Sequence, residues 1–238
     1  MAISELNPYP LFARFPELWE PWISTLHITK HSKDAVIARH GEQANHVWMV
    51  ISGWVSLQRN TPDGRNVTVG LCAAGDLFGE AGMFADSSYP YTAQVIQEGT
   101  ELVAIPATTL RQISQLHVDF SNYLMELLSE RLNRVQLTLE QMSSLTASQR
   151  LGCFLLRLCN QQQNHRDSVT MPIDKHIIAS YLGMKAETLS RSFAQLQPLG
   201  IEVKHATITV NNISKLHQFV CSSCGESGMC RTEGALFE

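Results

Sequence analysis

The sequence predicts an α+β fold, with an N-terminal β-roll of the jelly-roll type, one long helix and a C-terminal winged helix-turn-helix. Three observations predict it. Short β-type segments punctuated by glycine fill residues 31–106, apolar residues at 3-4-3-4-3 spacing run through 125–142, and two short helical segments joined by a glycine turn precede a hairpin within 171–210.

The β-type segments are 36–38, 47–51, 54–57, 67–71, 93–96 and 102–105, rich in Val, Ile and Leu. Glycines at 41, 53, 64, 75, 79 and 82 mark the corners, and Thr61-Pro62-Asp63-Gly64 reads as a hairpin turn. Many short strands with such punctuation favour a small barrel or roll. Before them, 16–26 reads as a short helical entry that packs Trp19 and Trp22 on the roll.

Residues 107–145 contain neither Pro nor Gly and read as one long helix. Met125, Leu128, Leu132, Val135, Leu139 and Met142 form an a/d heptad seam along it, and such a seam requires a partner helix. A two-fold homodimer fits a seam that leads into paired DNA-reading heads; packing on the chain's own roll is the plainer alternative. A second amphipathic helix spans 148–162, and the polar run 161–167 is a loop. Asp174 caps a short helix to Tyr181, Gly183 makes the turn, 185–197 is the second helix, and 201–204 with 207–210 form a wing. Asn212 caps a last helix to Val220. The domains expected are therefore a β-roll sensor over 1–106, a dimerisation helix over 107–145, a winged helix-turn-helix over 146–220 and a cysteine-bearing segment over 221–238.

The chain has 238 residues, 44% hydrophobic and 17% charged, which suffices for one large or two modest cores. No run of about 18 apolar residues and no export signal is present, so a cytoplasmic, membrane-free protein is expected. The net charge of −4 looks wrong for a nucleic-acid binder, yet residues 146–220 hold eight Lys/Arg against four acids. A local basic face is what phosphate contact needs.

In a helix-turn-helix the first residues of the second helix face base edges in the major groove of double-stranded DNA. Here these are Lys185, Glu187, Thr188, Ser190 and Arg191. Arg191 can contact guanine bidentately, Glu187 can accept from a cytosine amino group, and Leu189, Phe193 and Leu196 fall on the opposite face. A solvated helix with a Glu187–Arg191 i,i+4 ion pair is the rival reading.

The order of a roll carrying Gly75-Asp76-Leu77-Phe78-Gly79-Glu80, a long helix, and Tyr181-Leu-Gly-Met-Lys-Ala-Glu187-Thr-Leu-Ser190-Arg191 resembles the CRP/FNR family of bacterial transcription regulators over residues 30 to 220. The Glu-x-x-Ser-Arg arrangement resembles its FNR branch, which implies TTGAT half-sites in an inverted repeat, with Glu187, Ser190 and Arg191 as base readers. CRP has glycine where Ser190 stands. The resemblance also implies RNA polymerase as a partner. The cyclic-AMP branch carries an Arg-Ser pair for the phosphate, but no arginine stands at the corresponding Gly79-Glu80-Ala81 or Tyr89-Pro90-Tyr91-Thr92-Ala93.

Cys221, Cys224 and Cys230 make a C-x2-C-x5-C array, and reduced thiols at such spacing point to metal or redox chemistry. FNR-type oxygen sensors hold an iron–sulfur cluster with such an array near the N-terminus; this chain has no cysteine before Cys72 and carries the array at the other end. The resemblance thus implies a cluster, of the 4Fe-4S kind, responsive to oxygen or nitric oxide. Gly225 and Gly228 give the segment the freedom to wrap it. The fourth ligand is open: Ala104 stands where the family's β-roll cysteine would fall, Cys72, Cys153 and Cys159 remain, and so does a carboxylate of the long helix. A zinc site with His217, a thiol–disulfide switch, a haem or a small ligand in the roll are the alternatives; no nucleophile–base–acid set or phosphate loop supports an enzyme.

Overall fold

The computed structural model describes residues 6, 8–80, 88–161, 168–170, 174–204 and 207–221, and the chain divides into two compact units, Met1–Glu130 and Arg131–Glu238. In the first unit β1 (Ile28–His31), β8 (Thr100–Pro106), β3 (His46–Ser52) and β6 (Leu77–Phe78) lie side by side in that order. The second sheet has the order β2 (Val36–Ala38), β7 (Thr92–Val95), β4 (Val55–Asn60), β5 (Asn66–Cys72). All these pairings are antiparallel.

The period-two alternation of the strands decides what each face buries. Val47 and Met49 of β3, with Val103 and Ile105 of β8, pack on α1 (Pro10–Ala13), α2 (Pro16–Trp19) and the helices that follow the roll. Their neighbours Val50 and Leu102 turn inward with Phe78 and meet Val55, Leu57, Ala93 and Val95 of the second sheet. Trp19 is buried, its indole N–H donating to the Leu11 carbonyl at 2.9 Å, and Trp22 packs at the edge of the same cluster, as expected. The β4–β5 hairpin turns at Gly64, in the left-handed region at φ +79°, closed by Thr61 N–H donating to Arg65 O at 2.8 Å. The expected corner at Gly82 lies outside the described residues. Two strands were not legible: β1 and the two-residue β6.

The helix expected over 107–145 is broken. α3 (Ala107–Leu116) ends at His117, whose backbone is extended at φ −128°, ψ 104°, and α4 (Val118–Ser144) begins beyond it. A continuous helix would pair the Ser114 carbonyl with the Val118 N–H; instead that carbonyl accepts the Ser121 hydroxyl at 2.5 Å. The break therefore rests on a side-chain hydrogen bond and needs neither Pro nor Gly. Beyond it α4 buries Phe120 and Tyr123, with Phe120 edge-on to Phe15 at 5.4 Å.

In the second unit α5 (Ala147–Gln161) leads to α6 (Lys175–Tyr181) and α7 (Ala186–Leu196). Gly200, left-handed at φ 92°, then turns the chain into β10 (Ile201–Lys204) and β11 (Thr207–Val210), the expected wing. β9 (Ser168–Thr170) adds a third strand, giving the order β10-β11-β9. The sequence reading missed it, because Ser168-Val169-Thr170 holds a single strongly apolar residue next to a polar run. Asp174 accepts from His176 N–H at 2.9 Å and Asn212 from Lys215 N–H at 2.9 Å, so both expected caps form. The last helix, α8 (Ile213–Cys221), ends at the first cysteine of the array.

Candidate nucleic-acid interface

Tyr181 ends α6, and the Met184 N–H reaches back to the Ala179 carbonyl at 2.9 Å across Gly183, which takes φ +63°. Lys185 is then extended, at φ −78°, ψ 155°, and its carbonyl accepts the Leu189 N–H at 3.0 Å to start α7. No side chain caps this helix. Its first-turn N–H groups, on Ala186, Glu187 and Thr188, have no intrahelical acceptor and suit an anionic oxygen such as a backbone phosphate.

Helical periodicity separates two faces. Leu189, Ser192, Phe193 and Leu196 are buried against the rest of the unit, whereas Lys185, Glu187, Ser190 and Arg191 are exposed and Thr188 is half-buried. Glu187, Ser190 and Arg191 stand at i, i+3 and i+4, so they share one stripe. Among the described residues Glu187 and Arg191 form no ion pair, leaving guanidinium and carboxylate with their hydrogen-bonding capacity open.

The α6–α7 pair is braced by α5. Ser148 on α5 hydrogen-bonds the Gln195 carboxamide, and Arg157 donates to the Tyr181 hydroxyl at 2.9 Å while its guanidinium lies 5.8 Å from the Tyr181 ring. The sequence reading did not foresee these contacts; the partners lie 47 and 24 positions apart. Nor did it single out Gly152. A Cβ there would come within 2.5 Å of Val220 Cγ2 and 3.2 Å of Leu216 Cδ1, so α8 lies against the bare backbone of α5.

Cys221 closes α8, and Cys224 and Cys230 lie outside the described residues. Cys72 is buried in the roll; on α5, Cys153 is half-buried and Cys159 buried, and none of the three is in a disulfide. Among the described residues no group of three or more His, Cys, Asp or Glu is placed to hold a metal ion. His217 is exposed on α8. The whole heptad series is exposed: Met125, Leu128, Leu132, Val135, Leu139 and Met142 each keep 40–62% of their surface in solvent.

Inside the roll, the space beside Gly79 is filled by aromatics. Phe78 is fully buried, the Tyr91 hydroxyl accepts from Gly79 N–H at 2.7 Å, and the Tyr89 hydroxyl donates to His46 O at 2.8 Å. Burial drives the Tyr91 hydroxyl well above the ordinary tyrosine range.

Comparison with known proteins matches this architecture in two parts. Residues 28–117 match the cyclic nucleotide-binding domain, and residues 149–219 match the Crp-like helix-turn-helix domain. The nitrogen fixation regulation protein FixK of Azorhizobium caulinodans is 30% identical over 177 residues, covering 70% of this chain and 69% of FixK. The chain belongs to the CRP/FNR family. Among other CRP/FNR members, the transcriptional activator FnrA of Stutzerimonas stutzeri is 29% identical over 71% of this chain and 70% of its own. A solved structure described as a putative cAMP-binding regulatory protein from Silicibacter pomeroyi is 28% identical, with a TM-score of 0.68 over 92% of this chain and 97% of that one. FixK2 from Bradyrhizobium japonicum shares the CRP/FNR fold at a TM-score of 0.73 and 24% identity, over 81% of this chain and 96% of its own. As a CRP/FNR helix-turn-helix regulator the protein binds DNA, and its relatives are transcription regulators. No helix among the described residues is long and apolar enough to cross a membrane.

Proposed function

We propose that this protein is a homodimeric transcription regulator that senses oxygen or nitric oxide through a 4Fe-4S cluster held by Cys221, Cys224 and Cys230, and that it reads TTGAT-like inverted repeats. The observation that carries the reading is the spacing of the array in the sequence. Its first cysteine is the last residue of α8, a helix seated on the Gly152 backbone of the DNA-binding unit. Three soft thiolates at x2 and x5 spacing suit iron–sulfur ligation, and the cluster, when bound, supplies an oxidant-sensitive tie.

The protein's own residues do the rest. Arg191, Glu187 and Ser190 present donors and acceptors to base edges, each good contact worth about 1–3 kcal/mol of discrimination. Lys185, Thr188 and the open N–H groups of α7 meet the adjacent backbone. The exposed heptad face pairs with a second copy, setting two reading helices about 34 Å apart. Shifting such a dimer from 1% to 99% DNA-competent takes about 5.5 kcal/mol, a demand that several thiolate bonds meet. The roll acts as scaffold and RNA polymerase contact rather than nucleotide receptor, since the Tyr89 and Tyr91 hydroxyls are engaged with backbone and no arginine stands at 79, 80 or 89–93. No enzymatic step is assigned.

Anaerobic purification with absorption, iron and sulfide analysis tests the reading. Brown protein with broad absorption near about 400 nm, bleached by air together with its DNA binding, is expected. Replacement of Cys224 by Ser should abolish iron, sulfide and oxygen sensitivity together. Colourless wild-type protein whose DNA binding ignores air would overturn it in favour of a ligand in the roll; air-sensitive but metal-free protein would point to a thiol switch.

A further inference from the structure

Resting on the base-reading assignment above, we propose that Arg157 is a positioning residue for DNA recognition, acting through Tyr181 to set the tilt of α7 and so its discrimination between bases. Arg157 stands on α5, outside the helix-turn-helix pair. Its guanidinium donates to the Tyr181 hydroxyl at 2.9 Å and lies 5.8 Å from the Tyr181 ring and 5.6 Å from that of Phe154. Phe154, buried on the same helix, meets Tyr181 with 5.6 Å between ring centroids. Tyr181 is therefore held by its ring and by its hydroxyl.

What Tyr181 fixes is the start of α7. It is the last residue of α6, and the turn beyond it is tied back to that helix: the Gly183 N–H donates to the Ser180 carbonyl at 3.1 Å and the Met184 N–H to the Ala179 carbonyl at 2.9 Å. Lys185 follows, and α7 begins. The far end of α7 is held separately, where Ser148 bonds Gln195. Ser148 and Arg157 stand about 13.5 Å apart along α5. So α5 holds α7 through two polar anchors, one at its last turn and one at the turn that leads into it.

Buried Leu189, Phe193 and Leu196 seat α7 on the unit, but apolar contact is non-directional, whereas a hydrogen bond has an angle to keep. Glu187 lies about 12 Å along the helix from Gln195, so a tilt of about 5° around the Ser148–Gln195 anchor moves it by about 1 Å. Good hydrogen bonds span a range of only about 0.5 Å, so such a tilt forfeits base contacts of Glu187, Ser190 and Arg191. Attraction between lysines and phosphates declines slowly with distance and survives the same shift. Loss of the Arg157 anchor therefore lowers discrimination and leaves the general attraction to DNA in place.

The test uses full-length protein prepared without oxygen, a duplex that the wild type enriches from a random library, and a scrambled duplex of the same composition. Gel-shift titrations at one salt concentration give the affinity of wild type, Tyr181→Phe, Arg157→Lys and the double variant for both. Tyr181→Phe removes only the hydroxyl; it is expected to bind the enriched duplex about tenfold more weakly, the loss of about one base contact, and the scrambled duplex within about twofold of wild type. Arg157→Lys keeps the charge but gives up the planar fork, and is expected to lose as much, with the double variant losing no more than either alone. Because Tyr181→Phe keeps the ring packing, a fold failure in the arginine variant leaves the measurement intact. Equal losses on both duplexes would mean only less folded protein, and an unchanged ratio or additive losses would mean that the pair does not act on α7 as a unit; each of these overturns the proposal. A wild type that enriches no sequence would remove the base-reading assignment itself, and the proposal with it.

Discussion

Tyr91 couples the stability of the β-roll to alkaline pH. Burial raises its hydroxyl above the ordinary 10.0, outweighing the hydrogen bond from Gly79 N–H, which favours ionisation. A group raised on folding contributes stability that is complete below its unfolded value and is lost as pH rises through the folded value, since the unfolded chain ionises first. Tyr123, raised to about 12 mainly by burial, acts in the same direction. The urea midpoint is therefore expected to fall as pH rises above about 10, and Tyr91→Phe to flatten that fall. An identical slope in the variant would show that the loss arises elsewhere. At this scale, legibility followed distance along the chain. Asp174 and Asn212 were readable as caps because their acceptors serve N–H groups two and three residues on. Gly152 was not, because its partner Val220 is brought to it only by the tertiary fold.

α4 is an element whose sequence pattern and structure agree on one face and disagree at one end. The heptad residues are solvent-exposed, and Val118, seven residues before Met125, is also 74% exposed, so the apolar series starts a heptad earlier than the reading from Met125 implied. The start at Val118 was hidden because the sequence offers no breaker at His117; the break depends on Ser121 reaching the Ser114 carbonyl, a contact that spacing does not encode. If the face is a dimer seam, Leu132→Glu places two like charges opposite each other, which costs several kcal/mol. The variant is expected to sediment as a monomer and to lose operator binding while its helix content persists. A variant that remains dimeric would assign the exposed face to another partner. The strands missed carry little apolar signal: β1 reads Ile-Thr-Lys-His, β9 Ser-Val-Thr, and β6 has two residues.

For the whole molecule, if the exposed heptad face pairs two copies, function lies in how two α7 helices are spaced rather than in either alone. The sequence made the order of roll, long helix and winged helix-turn-helix legible because each has its own period and its own turn residues. The exposed stripe on α7 was legible too, since Leu189, Phe193 and Leu196 fix which side is buried. The close approach of α8 to α5 was not, as it depends on the bare backbone at Gly152. A two-fold dimer reading half-sites one helical turn apart predicts a strict phase requirement: adding about five base pairs between half-sites turns one of them to the far side of the duplex. Specific affinity in gel-shift titration should then fall to the non-specific level. Retained affinity would mean that each subunit binds by itself.

Met142, the last residue of the heptad series, also touches the turn of the helix-turn-helix: a Cβ on Gly183 would sit 3.4 Å from its terminal methyl and 3.9 Å from its sulfur. Its thioether has three freely turning bonds, and it cannot lie in two places at once. A neighbouring helix that claimed this side chain would withdraw a prop from beneath Gly183, and a turn that kept it would leave the neighbour a hole. Where the heptad face pairs two copies, the pose of one unbranched side chain is thus a vote shared between that pairing and the posture of the helix-turn-helix.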